Sequence, residues 1–469
     1  MGMTWRLAVR SLVGRPVRTV VLACGFGAGV AVMAALLGVG EVILEQARSP
    51  DLGRGGDVVV EGLGGRVHSA RWVLRCVLGR PPLAETVAAA SPAESAGVYL
   101  VQDGNVVPVI ARGGVPSLER AVGDPETSGL PAWTDAAADR VWTHPEPGDV
   151  LRDLDRFHPI PDASERAGSW AEWLYFNGSA GSIRFYLTFL VGPVTDSGGR
   201  AAGVRLQLDR DGRRSAYFER AELDPREVLR VAPDLTIGRS RVSLVGTTYR
   251  IRLDLEAEDD PGRRLTGAID LAADPVGSVP PFEIHGSRGW VSGYTVPVPH
   301  GSLDGELVVA ADRLPLTGGS GYHDHNWGFW HGVTWRWGQV AFDGRSIVYG
   351  RVLPPPDAGD PERSPSFVIV QGPEGVEAVI PGARIEETDD PATGLPGSIR
   401  VDAEGTGAWV EMRIEVLDAV ATDMERGPFA RAPGAGPVFL QLDTMYRVRG
   451  EIGGAPVDFT RRGSAETFR

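Results

Sequence analysis

Lysine is missing from this chain of 469 residues; all 47 basic positions are arginine, which we read as coding bias. Acidic residues outnumber basic ones, and the net charge of −14 excludes the basic face that phosphate-backbone binding needs, so no nucleic-acid partner is expected. Cysteine is scarce: Cys24 and Cys76 are the two present, too few for a disulfide framework. No Gly-x-Ser-x-Gly, phosphate-loop or dinucleotide fingerprint stands between a strand and a helix, leaving hydrolase, ATPase and dehydrogenase readings without support. Long apolar runs are equally scarce, with a single exception at the amino terminus.

That exception runs from Thr19 to Gly40 without a charge, 22 residues or roughly 33 Å of helix. Arg6, Arg10, Arg15 and Arg18 precede it, and Glu41, Glu45 and Asp51 follow. The positive-inside rule then predicts a cytoplasmic segment 1–18, one transmembrane helix 19–43 and an extracytoplasmic remainder, an uncleaved anchor at the cell membrane. A cleaved signal peptide is the competing reading, although no clear cleavage site follows the run. Gly25 and Gly29 form a GxxxG pair able to pack on another helix or simply reflecting the small residues common in such helices. The stretch Trp5-Arg6-Leu7-Ala8-Val9-Arg10-Ser11-Leu12 and the later Gly56-Asp57-Val58-Val59-Val60 resemble the start of MacB- and FtsX-type ABC transporter permeases. Further spans like those of such permeases are lacking.

Beyond the anchor, residues 44–150 mix Ala-rich and Pro-rich patches and read as a stalk or small accessory region. After Asp155 the texture becomes strictly alternating. In Tyr249-Arg250-Ile251-Arg252-Leu253-Asp254-Leu255, apolar residues recur at every second position, the period of a half-buried strand. Ile183 to Phe189 is similar, and Gly 62 and Pro 36 supply frequent turns. Many short-linked strands mean a mainly β fold, sandwich or barrel.

The densest chemistry lies in Gly321-Tyr322-His323-Asp324-His325-Asn326-Trp327-Gly328. In extended backbone, Tyr322, Asp324 and Asn326 share one face while His323, His325 and Trp327 share the other. The first face suits acid–base catalysis: a carboxylic acid in an apolar setting keeps its proton near neutrality because desolvation disfavours the anion. Asp324 is the candidate proton donor, with Tyr322 and Asn326 orienting it or a water. A structural reading, in which Asp324 bonds backbone amides and fixes a turn, stays open. On the second face two histidines could converge on an ion, but a tetrahedral site needs more ligands and His331 is the other histidine close in sequence, so no metal is expected. No cofactor is expected either.

Glu172-Trp173-Leu174-Tyr175-Phe176-Asn177, Pro297-Val298-Pro299 leading to Gly305, the Gly321–Gly328 stretch and Trp335-Arg336-Trp337-Gly338 occur in this order. Together they resemble the AttH and carotenoid 1,2-hydratase superfamily over about residues 150–465. The resemblance implies two packed lipocalin-like antiparallel barrels, 151–318 and 319–465, with an apolar cavity near their junction. It implies catalytic roles for Tyr322 and Asp324, the Tyr and Asp that carotenoid hydratases place two residues apart. Those hydratases carry a His-x-Trp element where this chain has Ser292-Gly293-Tyr294. Ligand contacts are expected from Trp173, Tyr175, His323, His325, Trp327, Trp335 and Trp337, with core or rim packing as the alternative role of the aromatic residues. The expected function is binding of an isoprenoid or lipid by a membrane-anchored protein, as an accessory to lipid handling or to ABC transporter subunits. A hydratase, cyclase or isomerase using Asp324 as general acid is the alternative.

Overall fold

The computed structural model describes residues 58–61, 67–102, 105–161, 165–260, 262–423 and 438–469. The expected span 19–43 lies outside them, as does nearly all of the permease-like start. Among the described residues no helix is long and apolar enough to cross a membrane. The chain divides into two units, Met1–Arg66 with Val87–Thr143, and Val67–Thr86 with His144–Arg469. In the first unit, β1 (Ala93–Gln102) and β2 (Asn105–Gly114) form an antiparallel ribbon. Asp124 caps the following Pro125–Ser128 helix by accepting from the backbone of Glu126 at 2.8 Å and Thr127 at 3.2 Å.

The second unit opens its sheets with β3 (Trp170–Ala180), β4 (Ile183–Val194), β5 (Arg200–Arg210), β6 (Arg213–Leu223), β7 (Thr236–Ile237), β8 (Ser240–Val245) and β9 (Thr248–Ala257). It continues with β10 (Arg264–Ala272), β11 (Val279–His285), β12 (Val291–Val309), β13 (Asp312–Pro315) and β14 (Gly319–Phe329). Neighbours pair in the order β10-β12-β14-β3-β4-β5-β6-β9, and β9 pairs back onto β10, closing a barrel of eight antiparallel strands. The alternation in β9 is as predicted: Tyr249, Ile251, Leu253 and Leu255 are buried while Arg250 and Arg252 are exposed. They fill the barrel with Phe176, Phe185, Leu187, Phe189 and others. Each such side chain removed from water contributes about 1.5–3 kcal/mol. Helix Pro147–Leu154 starts with proline at its first turn and adds Val150, Leu151 and Leu154 to this core. The residue ending it is Asp155, which is thereby drawn inside.

Nine strands make the second sheet: β15 (Thr334–Phe342), β16 (Arg345–Leu353), β17 (Ser366–Gly372), β18 (Gly375–Pro381), β19 (Arg384–Asp389), β20 (Pro396–Gly405), β21 (Ala408–Asp423), β22 (Val438–Ile452) and β23 (Ala455–Phe468). Their order is β18-β17-β16-β15-β23-β22-β21-β20-β19, and its two end strands do not pair. The expected second closed barrel is therefore a half-barrel. One end strand stops at Pro381, which lacks a backbone donor, and the other carries Arg384, Glu386, Glu387 and Asp389, charges of the kind that blunt a sheet edge. The boundary expected at residue 318 also moves. Gly319–Phe329 bonds to β12 and β3, so the first barrel runs through Phe329 and the second sheet starts at Thr334.

Three buried clusters result: the barrel interior, the inside of the half-barrel, and a junction cluster between the two sheets. Adjacent residues go to different clusters, as the strand period demands. Leu174 and Phe176 face the barrel interior, whereas Tyr175 between them faces the junction.

Candidate functional site

Strand β14 divides as its alternation predicts. On the inward face, His323 reaches the Tyr175 carbonyl through Nδ1 at 2.9 Å and Asp155 Oδ2 through Nε2 at 2.9 Å. His325 reaches Asp155 Oδ1 through Nδ1 at 3.0 Å and Glu172 Oε1 through Nε2 at 2.9 Å. Each of the four ring nitrogens faces an oxygen able to accept a hydrogen bond. Glu172 also accepts from His158 Nδ1 at 2.7 Å and from the His158 backbone N–H at 3.0 Å. Asp155, His323 and His325 are 0 % exposed. Burial alone would push both acids up and His325 down. Here the two imidazoles hold Asp155 well below the ordinary carboxylate range, His158 and His325 hold Glu172 down, and the two carboxylates raise His325 to about 9.

The histidines thus converge on a carboxylate, Asp155, rather than on an ion. His158, Glu172 and His325 do place one possible ligand atom each within 4.8 Å of one another, and could hold a metal. With His325 engaged by a carboxylate at each nitrogen, they are equally complete as a charge network.

The other face points into the junction between the sheets. Asp324, 3 % exposed, accepts from Tyr322 Oη at 2.9 Å on Oδ2 and from Asn326 Nδ2 at 2.9 Å on Oδ1. Tyr294 Oη lies 2.8 Å from Tyr322 Oη and 3.4 Å from Asp324 Oδ2, and it accepts from Trp337 Nε1 at 3.0 Å. The result is a buried chain of donors from Trp337 through Tyr294 and Tyr322 to the acid. Burial is the dominant influence on Asp324 and raises it to about 7, although Tyr322, Asn326 and the histidines behind the strand favour its anion. At neutral pH the group is poised between acid and base.

Of the residues expected at the site, Tyr322 and Asn326 are each hydrogen-bonded to Asp324. Tyr175 pairs with Asp324 across the β3–β14 ladder, and its ring lies 6.5 Å from Tyr322 and 5.7 Å from Trp337. Trp173 stands 4.6 Å from Trp330 and 6.2 Å from Trp335, forming an aromatic flank in the same junction cluster. His323 and His325 point away from the acid into the barrel. Trp327 shares neither arrangement: its ring stacks on His158 at 4.2 Å and its Nε1 donates to Glu283 at 2.8 Å. Its indole lies over Gly293, where any side chain would collide with it.

The sequence signal missed several participants. Asp155, Glu172 and His158 lie far from the histidine pair along the chain. Glu466, at the distant carboxyl end, joins the junction because β23 pairs with β15, placing it opposite Trp337. Tyr294 stood in the Ser292-Gly293-Tyr294 triplet that replaces His-x-Trp, and the structure gives that position a direct bond to the Tyr322–Asp324 pair.

No family model matches this chain. No curated protein matches it. Among solved structures it is similar to kievitone hydratase from Nectria haematococca, with a TM-score of 0.44, 14% identity, and 67% of this chain and 95% of that one covered. An AttH protein from Nitrosomonas europaea gives a TM-score of 0.42 at 16% identity, covering 66% of this chain and 99% of the other. CghA, solved with Sch210972, gives 0.43 at 11% identity, covering 67% and 94%. The permease resemblance of the first 60 residues gains no support from these comparisons.

Proposed function

We propose that this chain is a cofactor-free acid–base enzyme acting on a hydrophobic unsaturated substrate, with Asp324 as the group that gives its proton to carbon. Hydration and cyclisation begin with that step, and an isomerisation ends with it when ionised Asp324 first takes the proton from the substrate. The observation that carries the reading is the Tyr294–Tyr322–Asp324 chain in a junction walled by aromatic rings, holding an acid at about 7. Indole and phenol faces there are suited to stabilise a cation formed on the substrate. Tyr322 and Asn326 act as positioning residues, since each bonds Asp324. Turnover of acyclic polyenes by the full chain, followed by mass spectrometry, tests this. Asp324→Asn should lower the rate by at least about 100-fold, the usual contribution of a general acid. Undiminished turnover in that variant would remove Asp324 from the chemistry.

A second reading is carriage without catalysis, in which an isoprenoid or lipid is bound and handed to an exporter at the membrane. The mutually packed rings of Trp173, Trp330 and Trp335 favour it, adding apolar contact area to the same junction cluster as the acid's partners. In that case ligand co-purifying with the protein is released unchanged, and Asp324→Asn binds it as well as the parent does.

A further inference from the structure

Buried oxygens at the junction that lack a hydrogen-bond partner include Tyr175 Oη on the barrel side and Glu466 Oε1 on the half-barrel side, with Tyr186 Oη a third. Leaving such a group unsatisfied costs about 1–3 kcal/mol. The first two lie at the Asp324 centre. Tyr175 is the cross-strand neighbour of Asp324, and Glu466 that of Trp337, which bonds Tyr294. Glu466 is half-buried as a residue, and its Oε1 is fully enclosed. Tyr175 is close enough to Glu466 to favour its anion, yet the two do not satisfy each other.

Resting on the acid–base reading above, we propose that Tyr175 and Glu466 form an oxygen-binding subsite that takes the carbonyl of an unsaturated ketone, making the substrate a carbonyl compound and the reaction a proton transposition beside it. A phenol and a protonated carboxyl are both O–H donors, and a carbonyl oxygen can accept from both. Burial raises Glu466 to about 8 and the charge of Asp324 pushes it the same way, which favours the neutral carboxyl that can donate. A tyrosine paired with a neutral acid is a known means of holding an enolate.

The step balances without a co-reactant. Ionised Asp324 removes a proton from the carbon beside the carbonyl; the C–H electron pair becomes the enolate double bond, and the charge moves to oxygen, where Tyr175 and Glu466 hold it. Asp324 then returns the same proton to the far carbon of the dienolate, the carbonyl re-forms, and the double bond has moved into conjugation. Nothing is oxidised or reduced.

The test uses the full chain with β-ionone labelled with ¹³C at its carbonyl, a conjugated ketone, and binding is followed independently by quenching of tryptophan fluorescence. Wild type and Asp324→Asn should bind it with a downfield shift of the carbonyl resonance. Tyr175→Phe and Glu466→Gln, each nearly isosteric, should reduce that shift singly while still quenching fluorescence. Absence of binding to wild type, or binding with no carbonyl shift, or a shift equal in all four proteins, overturns the subsite. Loss of polyene turnover in Asp324→Asn with the shift retained separates the two claims: turnover reports on Asp324, and the carbonyl resonance reports on Tyr175 and Glu466.

Discussion

The two faces of β14 are equally buried, yet their carboxylates move in opposite directions. Behind the strand, Asp155 and Glu172 face imidazoles and are held low; in front, Asp324 and Glu466 meet mainly neutral donors and are raised to about 7 and about 8. Burial is the first influence on all four. What differs is the countercharge, which His323, His325 and His158 supply on one side and which has to cross the strand to reach the other. The inward face is a satisfied ion network that pins the Asp155 segment inside the barrel, and the outward face is an acid kept ready to release a proton.

The largest effect expected from breaking this contrast is on the inward side. Asp155→Asn removes one anion from between two imidazoles and should cost about 3–5 kcal/mol, as loss of one partner of a buried ion pair does. Urea unfolding checks it; a cost below about 1 kcal/mol would mean the network carries little. The pH dependence of stability sharpens the same point. His325 is raised above its unfolded value of about 6.5, so its contribution is complete below that pH and is lost as pH rises through about 9. Asp155 and Glu172 are lowered, so their contribution is present above their unfolded values of about 4 and is lost as pH falls through their lower folded values. The network should therefore give its full stabilisation between about pH 4.5 and 6.5, with a few kcal/mol lost beyond each end.

The outward face has the opposite sign. Because folding raises Asp324 from an unfolded value of about 4 to about 7, the native state loses stability as pH climbs through that interval, then levels off. Asp324→Asn should thus be more stable than the parent by about 1–3 kcal/mol at pH 8 and gain nothing at pH 4, as thermal melts at the two pH values would show. A variant destabilised at pH 8 would indicate that Asp324 is there for structure. Tyr322→Phe has the smallest effect, about 1 kcal/mol for one hydrogen bond. Removing a donor that favours the anion should push Asp324 further up, visible as an upward shift in the pH profile of turnover.

The sequence exposes some of this and hides the rest for physical reasons. Period-two alternation is local, so the facing of Tyr322 and Asp324 away from His323 and His325 is legible in Gly321–Gly328, as are the inward Tyr249, Ile251 and Leu253 of β9. Closure is not local: the β9–β10 pairing makes one ring, while Pro381 and the charged Arg384–Asp389 strand leave the other sheet open, and neither outcome follows from alternation. The boundary expected at residue 318 coincides with the run Gly318-Gly319-Ser320-Gly321, yet β14 begins within it, because glycine and serine can be accommodated in a strand whose neighbours on both sides are already in place. Partners from far along the chain were the least visible. Asp155 is 168 residues from His323, and Glu466 belongs to the last strand. Their roles emerge when the topology brings those strands and that helix end together.

Infrared spectroscopy of the full chain, comparing the parent with Asp324→Asn across pH, tests the centre of this account most directly. The prediction is that the parent at pH 6 shows, beside the Glu466 band that both proteins keep, a second protonated-carboxyl band that is missing from the variant and titrates near pH 7. If the two spectra coincide, or the band vanishes near pH 4, Asp324 is already ionised at neutral pH, and the proposed proton donor does not exist.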